Sequence, residues 1–204
     1  MKKAKFEMTR IIEPRTAYDP MDGGKWTLKL GESVERRFAE LNDPKLQLYF
    51  DCHHYKKEGG IVNDRIIACM DIDGLPDRAT HLSFVDLAVA YGKDILVLCE
   101  VEEGHSSPKR IIGDTCNLLY ADYVKVRGNR FHLSNFSFFY GLTYLKGGQG
   151  SNRAKELQKR ITKSMDSVAR DRMHIEIIQA DTCEAMVDLL EEKIITQVRT
   201  RVGR

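Results

Sequence analysis

The chain lacks any apolar run long enough to cross a membrane: stretches such as Ile95 to Cys99 stop far short of the roughly 18 residues a spanning helix requires. No secretory leader is expected, because "MKKAKFEMTR" continues with charges where a signal peptide turns apolar. Cysteine is scarce and scattered. The five residues, Cys52, Cys69, Cys99, Cys116 and Cys183, are odd in number and contain no C-x-x-C pair, which excludes a disulfide framework and a zinc knuckle and fits a reducing cytoplasm. No G-K-[ST] follows the glycines at 147–150, so a P-loop is excluded. No internal repeat or low-complexity segment is present. What remains is 204 residues, 42% hydrophobic and 30% charged, enough for one sizeable core. The expected organisation is one domain over 1–204, with a core at about 32–180, an N-terminal extension 1–31 and a C-terminal helix at about 182–202.

Net charge is only +2, but it is unevenly placed. Residues 1–104 carry 15 basic and 19 acidic side chains, 105–170 carry 12 and 4, and 171–204 carry 5 and 7. A middle segment at +8 after an acidic one suits a protein that holds a polyanion with one region and a metal with another.

The periodicity predicts short strands and loop over 1–31, then a helix from Glu32 with Val34, Phe38 and Leu41 on its apolar face. Pro44 is expected to open a second helix through Leu46, Tyr49, Phe50 and His53, closed by the glycines at 59 and 60. In "DCHHYKK", Cys52, His53 and His54 read as the end of that helix and not as metal ligands, because adjacent helical residues diverge. Asp71, Asp73 and Asp77 resemble the start of a calcium loop, but Leu82 stands where its glutamate belongs, so a solvated loop is expected. "RIIACMDIDG" reads equally as strand or short helix.

Strands are predicted at about 83–91 and 94–102, then a helix from Ser107 to Tyr120 capped by Ser106 or Ser107 with Pro108 behind it. Strands follow at "ADYVKV" and "FSFFYGLTYL", with Gly128 and Asn129 between them. Next come a helix with Leu157, Ile161, Met165 and Val168 on one face, a strand at "MHIEIIQ", and a helix opened by a capping box of Asp181 and Glu184. The buried stripe of that last helix is Met186, Leu189, Leu190, Ile194 and Val198. The fold class is α/β, a mixed central sheet flanked by helices.

The acidic residues raise the functional question. Asp86 lies inside one predicted strand, and Glu100, Glu102 and Glu103 crowd the end of its neighbour, where like charges repel. Residues two apart share a strand face, so Glu100 and Glu102 point the same way. A two-residue hairpin loop sets Asp86 opposite Cys99, whereas a three-residue loop of Gly92, Lys93 and Asp94 sets it opposite Glu100. A metal site requires the second register, or a bulge that restores it. Three carboxylates on one face then form a hard-oxygen site suited to Mg²⁺.

With "VD" at 85–86, "EVE" at 100–102 and the "PKRIIGD" helix at 108–114, the chain resembles the PD-(D/E)xK nuclease superfamily, in particular type II restriction endonucleases. The resemblance implies an αβββαβ core within residues 32–180. It implies Asp86, Glu100 and Glu102 as catalytic residues, and Asp86, Glu100 and the Val101 carbonyl as ligands of Mg²⁺, with Mn²⁺ able to substitute. Glu35, on the first long helix, is a candidate outer ligand. Glu102 departs from the family pattern, standing where most members have lysine, and in this reading it orients or deprotonates the attacking water.

Double-stranded DNA is the expected partner, contacted by Lys109 and Arg110 at one helix entry and by Lys146, Arg153 and Lys155 at another. The expected protein is thus a cytoplasmic, Mg²⁺-dependent DNA endonuclease, a homodimer if its site is palindromic. Two rival readings are a catalytically inactive nucleic-acid-binding module of the same fold and a non-enzymatic interaction protein whose acidic strand end is a solvated edge.

Overall fold

The computed structural model describes residues 24–57, 60–73, 80–145 and 152–203. Helix α1 runs Lys25–Leu41, seven residues earlier than the apolar face at Val34 suggests, because Thr27, Leu28 and Leu30 are also buried. Asn42, in the left-handed conformation, ends it with its N–H on the Phe38 carbonyl. The chain then turns through Pro44 and forms β1, Leu46–Lys57, not the expected helix. The signal was alternation: Leu46, Leu48 and Phe50 pack against one core while Tyr49 packs against the other. Cys52 is buried on this strand, and the side chains of His53 and His54 lie outside the described residues.

Strand β2 (Gly60–Asn63) hairpins onto β1, and β3 (Ile66–Cys69) resolves the ambiguous stretch as a strand. Asp71 and Asp73 are exposed, and Asp77 lies outside the described residues. The predicted strand at 83–91 is two strands, β4 (His81–Val85) and β5 (Leu87–Tyr91), divided by a bend at Asp86. Gly92, with φ 63°, and Lys93 form the turn into β6, Asp94–Ser106.

Helix α2 (Pro108–Tyr120) follows at once, its N-cap Ser107 accepting from the Arg110 N–H. Strands β7 (Tyr123–Val126) and β8 (Asn129–His132) form a hairpin, and β9 (Phe136–Leu145) precedes helix α3 (Asn152–Ser164). Asp166 caps the short α4 (Ser167–Arg172), so the helical face ends before Val168, which is 73% exposed. After β10 (Met173–Gln179) comes α5 (Cys183–Val202), capped by Thr182 and not by Asp181. Met186, Leu190, Ile194 and Val198 of α5 are buried, while Leu189 faces solvent.

The class is mixed α/β: a ten-stranded, mostly antiparallel open sheet flanked by helices. Strands β1, β5 and β6 form an antiparallel meander, and β9 then β10 continue it in parallel. A branch through β8, β7, β3 and β4 leaves the start of β6 at Asp94↔His132 and returns through Asp86 into β5. On one face α1 and α5 bury Leu30, Val34, Met186 and Leu190 against Val89, Cys99, Val101 and Phe139. On the other, α2 and α3 bury Ile111, Leu118 and Ala154 against Ala88, Leu98, Phe138 and Tyr140. Gly141 lets α5 approach β9: a Cβ there would sit 2.6 Å from Leu190 Cδ1. Arg172 ties the layers, donating to the carbonyls of Leu133, Leu119 and Ala121.

Candidate active site

The hairpin turn between β5 and β6 has two residues, since Tyr91 pairs with Asp94, so the three-residue loop expected from the sequence is not formed. With regular pairing, that turn would place Asp86 opposite Cys99. A β-bulge intervenes. Ala90 pairs with Ile95 but Val89 pairs with Val97, so Leu96 is the extra residue, and Leu96 and Val97 both enter the core beneath α1 and α5. Beyond the bulge Leu87 pairs with Cys99, and the next position sets Asp86 beside Glu100. Ala88 and Leu98 mark the shared face, the one covered by α2 and α3.

The two carboxyls meet there. Their side chains hydrogen-bond to each other, and Asp86 Oδ2 also accepts from the Val101 N–H at 2.7 Å. The Asp86 carbonyl accepts from the Asp51 N–H at 2.8 Å, which pins the bend to β1. Burial pushes the Asp86 carboxyl up to about 6, opposed by the Val101 N–H, the Glu100 hydrogen bond and the Arg110 charge, and helped by the Asp51 charge. Glu100, 8% exposed, is pushed well above the carboxylate range by burial first, then by the charges of Asp86 and Asp114. Two buried carboxyls in contact cannot both ionise without a cation, so the pair shares a proton, carried by Glu100. Burial, with Asp86 and Glu100 beside it, likewise raises the Cys99 thiol.

Glu102 does not join the pair. It lies on the same face, but Arg110 Nη1 of α2 holds its Oε2 at 2.5 Å, and the Tyr140 hydroxyl donates to that oxygen at 3.4 Å. Tyr140 is fully buried on β9 and shares its hydroxyl with Ser106 Oγ at 3.0 Å. Asp114, one helical turn beyond Arg110, is 4.0 Å from the Arg110 Nε; burial raises its carboxyl, which Arg110 and a Tyr140 hydrogen bond pull back down. The centre is therefore a proton-sharing pair, Asp86 and Glu100, beside a cation-centred cluster of Arg110, Glu102, Asp114 and Tyr140. Sequence reasoning missed Asp51, Asp114 and Tyr140. The only signal for Asp114 was its spacing of four from Arg110.

The donors of the pair are hard oxygens, as Mg²⁺ prefers. The N–H and C=O of one strand residue point to the same edge, so the Val101 carbonyl faces the side on which its N–H meets Asp86. Two carboxyls forced to share a proton for want of a positive charge fit a divalent cation. Among the described residues, no three His, Cys, Asp or Glu side chains are gathered into a ready cage, so the fit rests on two side chains and a carbonyl.

Glu35 is exposed on α1, which packs on the opposite face of the sheet, and the structure does not bring it to the pair. Lys109 is exposed at the start of α2, Arg153 is half-buried at the start of α3, and Lys155 is exposed on that helix. Lys146 lies outside the described residues. Two concavities among the described residues lie away from the acidic centre, one between α1 and α5 and one along α3. Among the described residues no helix is long and apolar enough to cross a membrane. No family model matches the chain, and no curated protein or solved structure matches it either.

Proposed function

We propose that the chain is a divalent-metal-dependent endonuclease of PD-(D/E)xK type acting on double-stranded DNA. The observation that carries this reading is the bulge at Leu96, which restores Asp86 and Glu100 to one face after a turn that would otherwise separate them. The order α1, β1, β5, β6, α2, β9 supports it too, giving αβββαβ once β2–β4 and β7–β8 are taken as insertions. Asp86, Glu100 and the Val101 carbonyl would hold Mg²⁺ or Mn²⁺. When bound, such an ion supplies charge neutralisation at phosphate and a lowered water pKa.

The chain's own groups do the rest. Arg110 brings from α2 the positive charge that Glu102 leaves missing from the strand, beside the carboxyl pair. It can offer a phosphate oxygen a charge-assisted hydrogen bond as it releases Glu102. Glu102, released by Arg110, accepts the proton of the attacking water; a new P–O bond forms, the ester P–O bond breaks, and the leaving oxygen takes a proton from solvent. A homodimer would match a palindromic site, and the predicted location is the cytoplasm.

The Glu102–Arg110 lock also favours a second reading, a nucleic-acid-binding module of this fold without cleavage. Incubation with plasmid and phage DNA in Mg²⁺ and in EDTA separates the two. The nuclease reading expects cutting in Mg²⁺ that EDTA and Glu100→Gln abolish. Binding without cutting across a broad DNA panel supports the module instead.

A further inference from the structure

We infer that the groove along α3 and α4 is a docking track for a nucleic-acid phosphate backbone, an inference that deepens the nuclease reading and rests on it for the identity of the polyanion. The groove, about 460 Å³, is lined by Lys155, Gln158, Lys159, Thr162, Lys163 and Arg170. Four of these six are cations and none is an acid. No carboxylate is paired with any of the four among the described residues, whereas Arg160, elsewhere on the same helix, is held by Glu156 at 3.1 Å. The concavity between α1 and α5 is different in kind: Asp188, Glu191 and Glu192 offset Arg37 and Arg199 there.

Uncompensated like charges on one surface repel each other, and a bound polyanion removes that repulsion. Lys155, Lys159 and Lys163 recur every four residues, so they rise about 6 Å per step along one flank of the helix and span about 12 Å. A nucleic-acid strand advances about 3.4 Å per charge along its axis, so this row can follow three or four consecutive phosphates.

The flank is held in place from beneath. Leu157 and Ile161 pack into the core with Phe138 and Ile175, and Gln158 Oε1 accepts from the Ile177 N–H at 2.8 Å on the edge strand β10. The helix lies over the same face of the sheet as Glu100, Glu102 and Arg110. Strand β10 is two positions from β6 across β9, about 10 Å at ordinary strand spacing. A strand bound on the groove can therefore reach the acidic centre within a few nucleotides. An anionic membrane is the weaker partner for this surface. A membrane-lying helix needs a free apolar face, and the apolar face of α3 is buried, with no large hydrophobic side chain of α3 exposed.

The test measures anisotropy of a labelled DNA duplex in EDTA, from 50 to 200 mM salt, using the full chain. The triple variant Lys155→Gln/Lys159→Gln/Lys163→Gln should weaken binding at least about tenfold at 100 mM salt and lower the salt slope by about 2 to 3, since each phosphate contact contributes about 0.9. A matched variant, Lys25→Gln/Lys29→Gln/Lys45→Gln, removes the same charge elsewhere and should cost less than about threefold. Thermal melts confirm that both variants fold; a triple variant that fails to fold is replaced by the three single substitutions, each expected to lower the slope by about 1. Equal losses in the groove and matched variants would overturn the inference, as would an unchanged slope, absence of duplex binding by the unaltered chain, or a triple variant that loses affinity for anionic-lipid vesicles but not for duplex. Glu100→Gln keeps the failures apart: it should bind duplex with the unaltered slope whether or not the chain cuts DNA. Groove-dependent binding without cleavage therefore supports the track and counts against the nuclease reading alone.

Discussion

Replacing Asp86 by asparagine removes the charge that the pair acquires on ionising while leaving an amide oxygen that can still accept from the Val101 N–H. Holding the Asp86 carboxyl at about 6 in the folded chain against its ordinary 3.8 costs roughly 3 kcal/mol once it is fully ionised, reduced toward 2 by the water that reaches this half-buried side chain. The sign follows from proton binding. The folded state holds more protons than the unfolded one between these values, so the stability contributed by the protonated pair is full below about 3.8 and is lost as pH rises through about 6. Burial raises Glu100 in the same direction, which extends the loss to higher pH. For a chain of this size each kcal/mol moves the melting temperature by about 2–4 °C. Thermal melts in EDTA should therefore show a fall of about 4–12 °C from Asp86 between pH 4 and pH 7, a fall that Asp86→Asn lacks. Adding Mn²⁺ at pH 7 should restore the unaltered chain and not the variant, by about 2.7 kcal/mol at a hundredfold excess over Kd. The same slope in both chains, or no slope in either, would refute the shared-proton account.

Arg110→Gln should abolish cleavage yet leave Mn²⁺ affinity within about threefold, because it removes the phosphate's cation and not an ion ligand; kinetics and calorimetry on one preparation check both. Tyr140→Phe leaves the buried Ser106 hydroxyl without its partner and should cost about 1–3 kcal/mol in urea unfolding. Arg172→Leu strips three carbonyls of a charged donor and should cost about 3 kcal/mol or more by the same measurement. Gly141→Ala drives a methyl into Leu190 and should lower stability by about 1–3 kcal/mol with little change in Mn²⁺ binding, since α5 lies on the face away from the pair.

The parts of the fold legible in the sequence were those with one buried face. The helices at α2 and α5 and the strand β10 show their period because solvent marks the other side, and Pro108 and Ser107 mark the entry to α2. Strand β6 is buried on both faces, so "ILVLC" carries no alternation from which a bulge can be read. That is why Asp86 and Glu100 could be named as neighbours while the device that makes them so could not. Strand β1 was misread because Pro44 imitates a helix start, although Leu46, Leu48 and Phe50 alternate. Lock and groove were hidden for another reason. Arg110 and Lys155 both read as DNA contacts at helix entries, and only the tertiary structure tells that the first is spent on Glu102 while the second is left without a carboxylate.

The most direct test of the acidic centre is calorimetric titration with Mn²⁺ at pH 6.5 in two buffers of different ionisation enthalpy. The account predicts saturable binding that releases about one proton, the one shared by Asp86 and Glu100, with both heat and release lost in Asp86→Asn and in Glu100→Gln. Saturable binding that survives both substitutions unchanged, or no saturable binding by the unaltered chain, would contradict it.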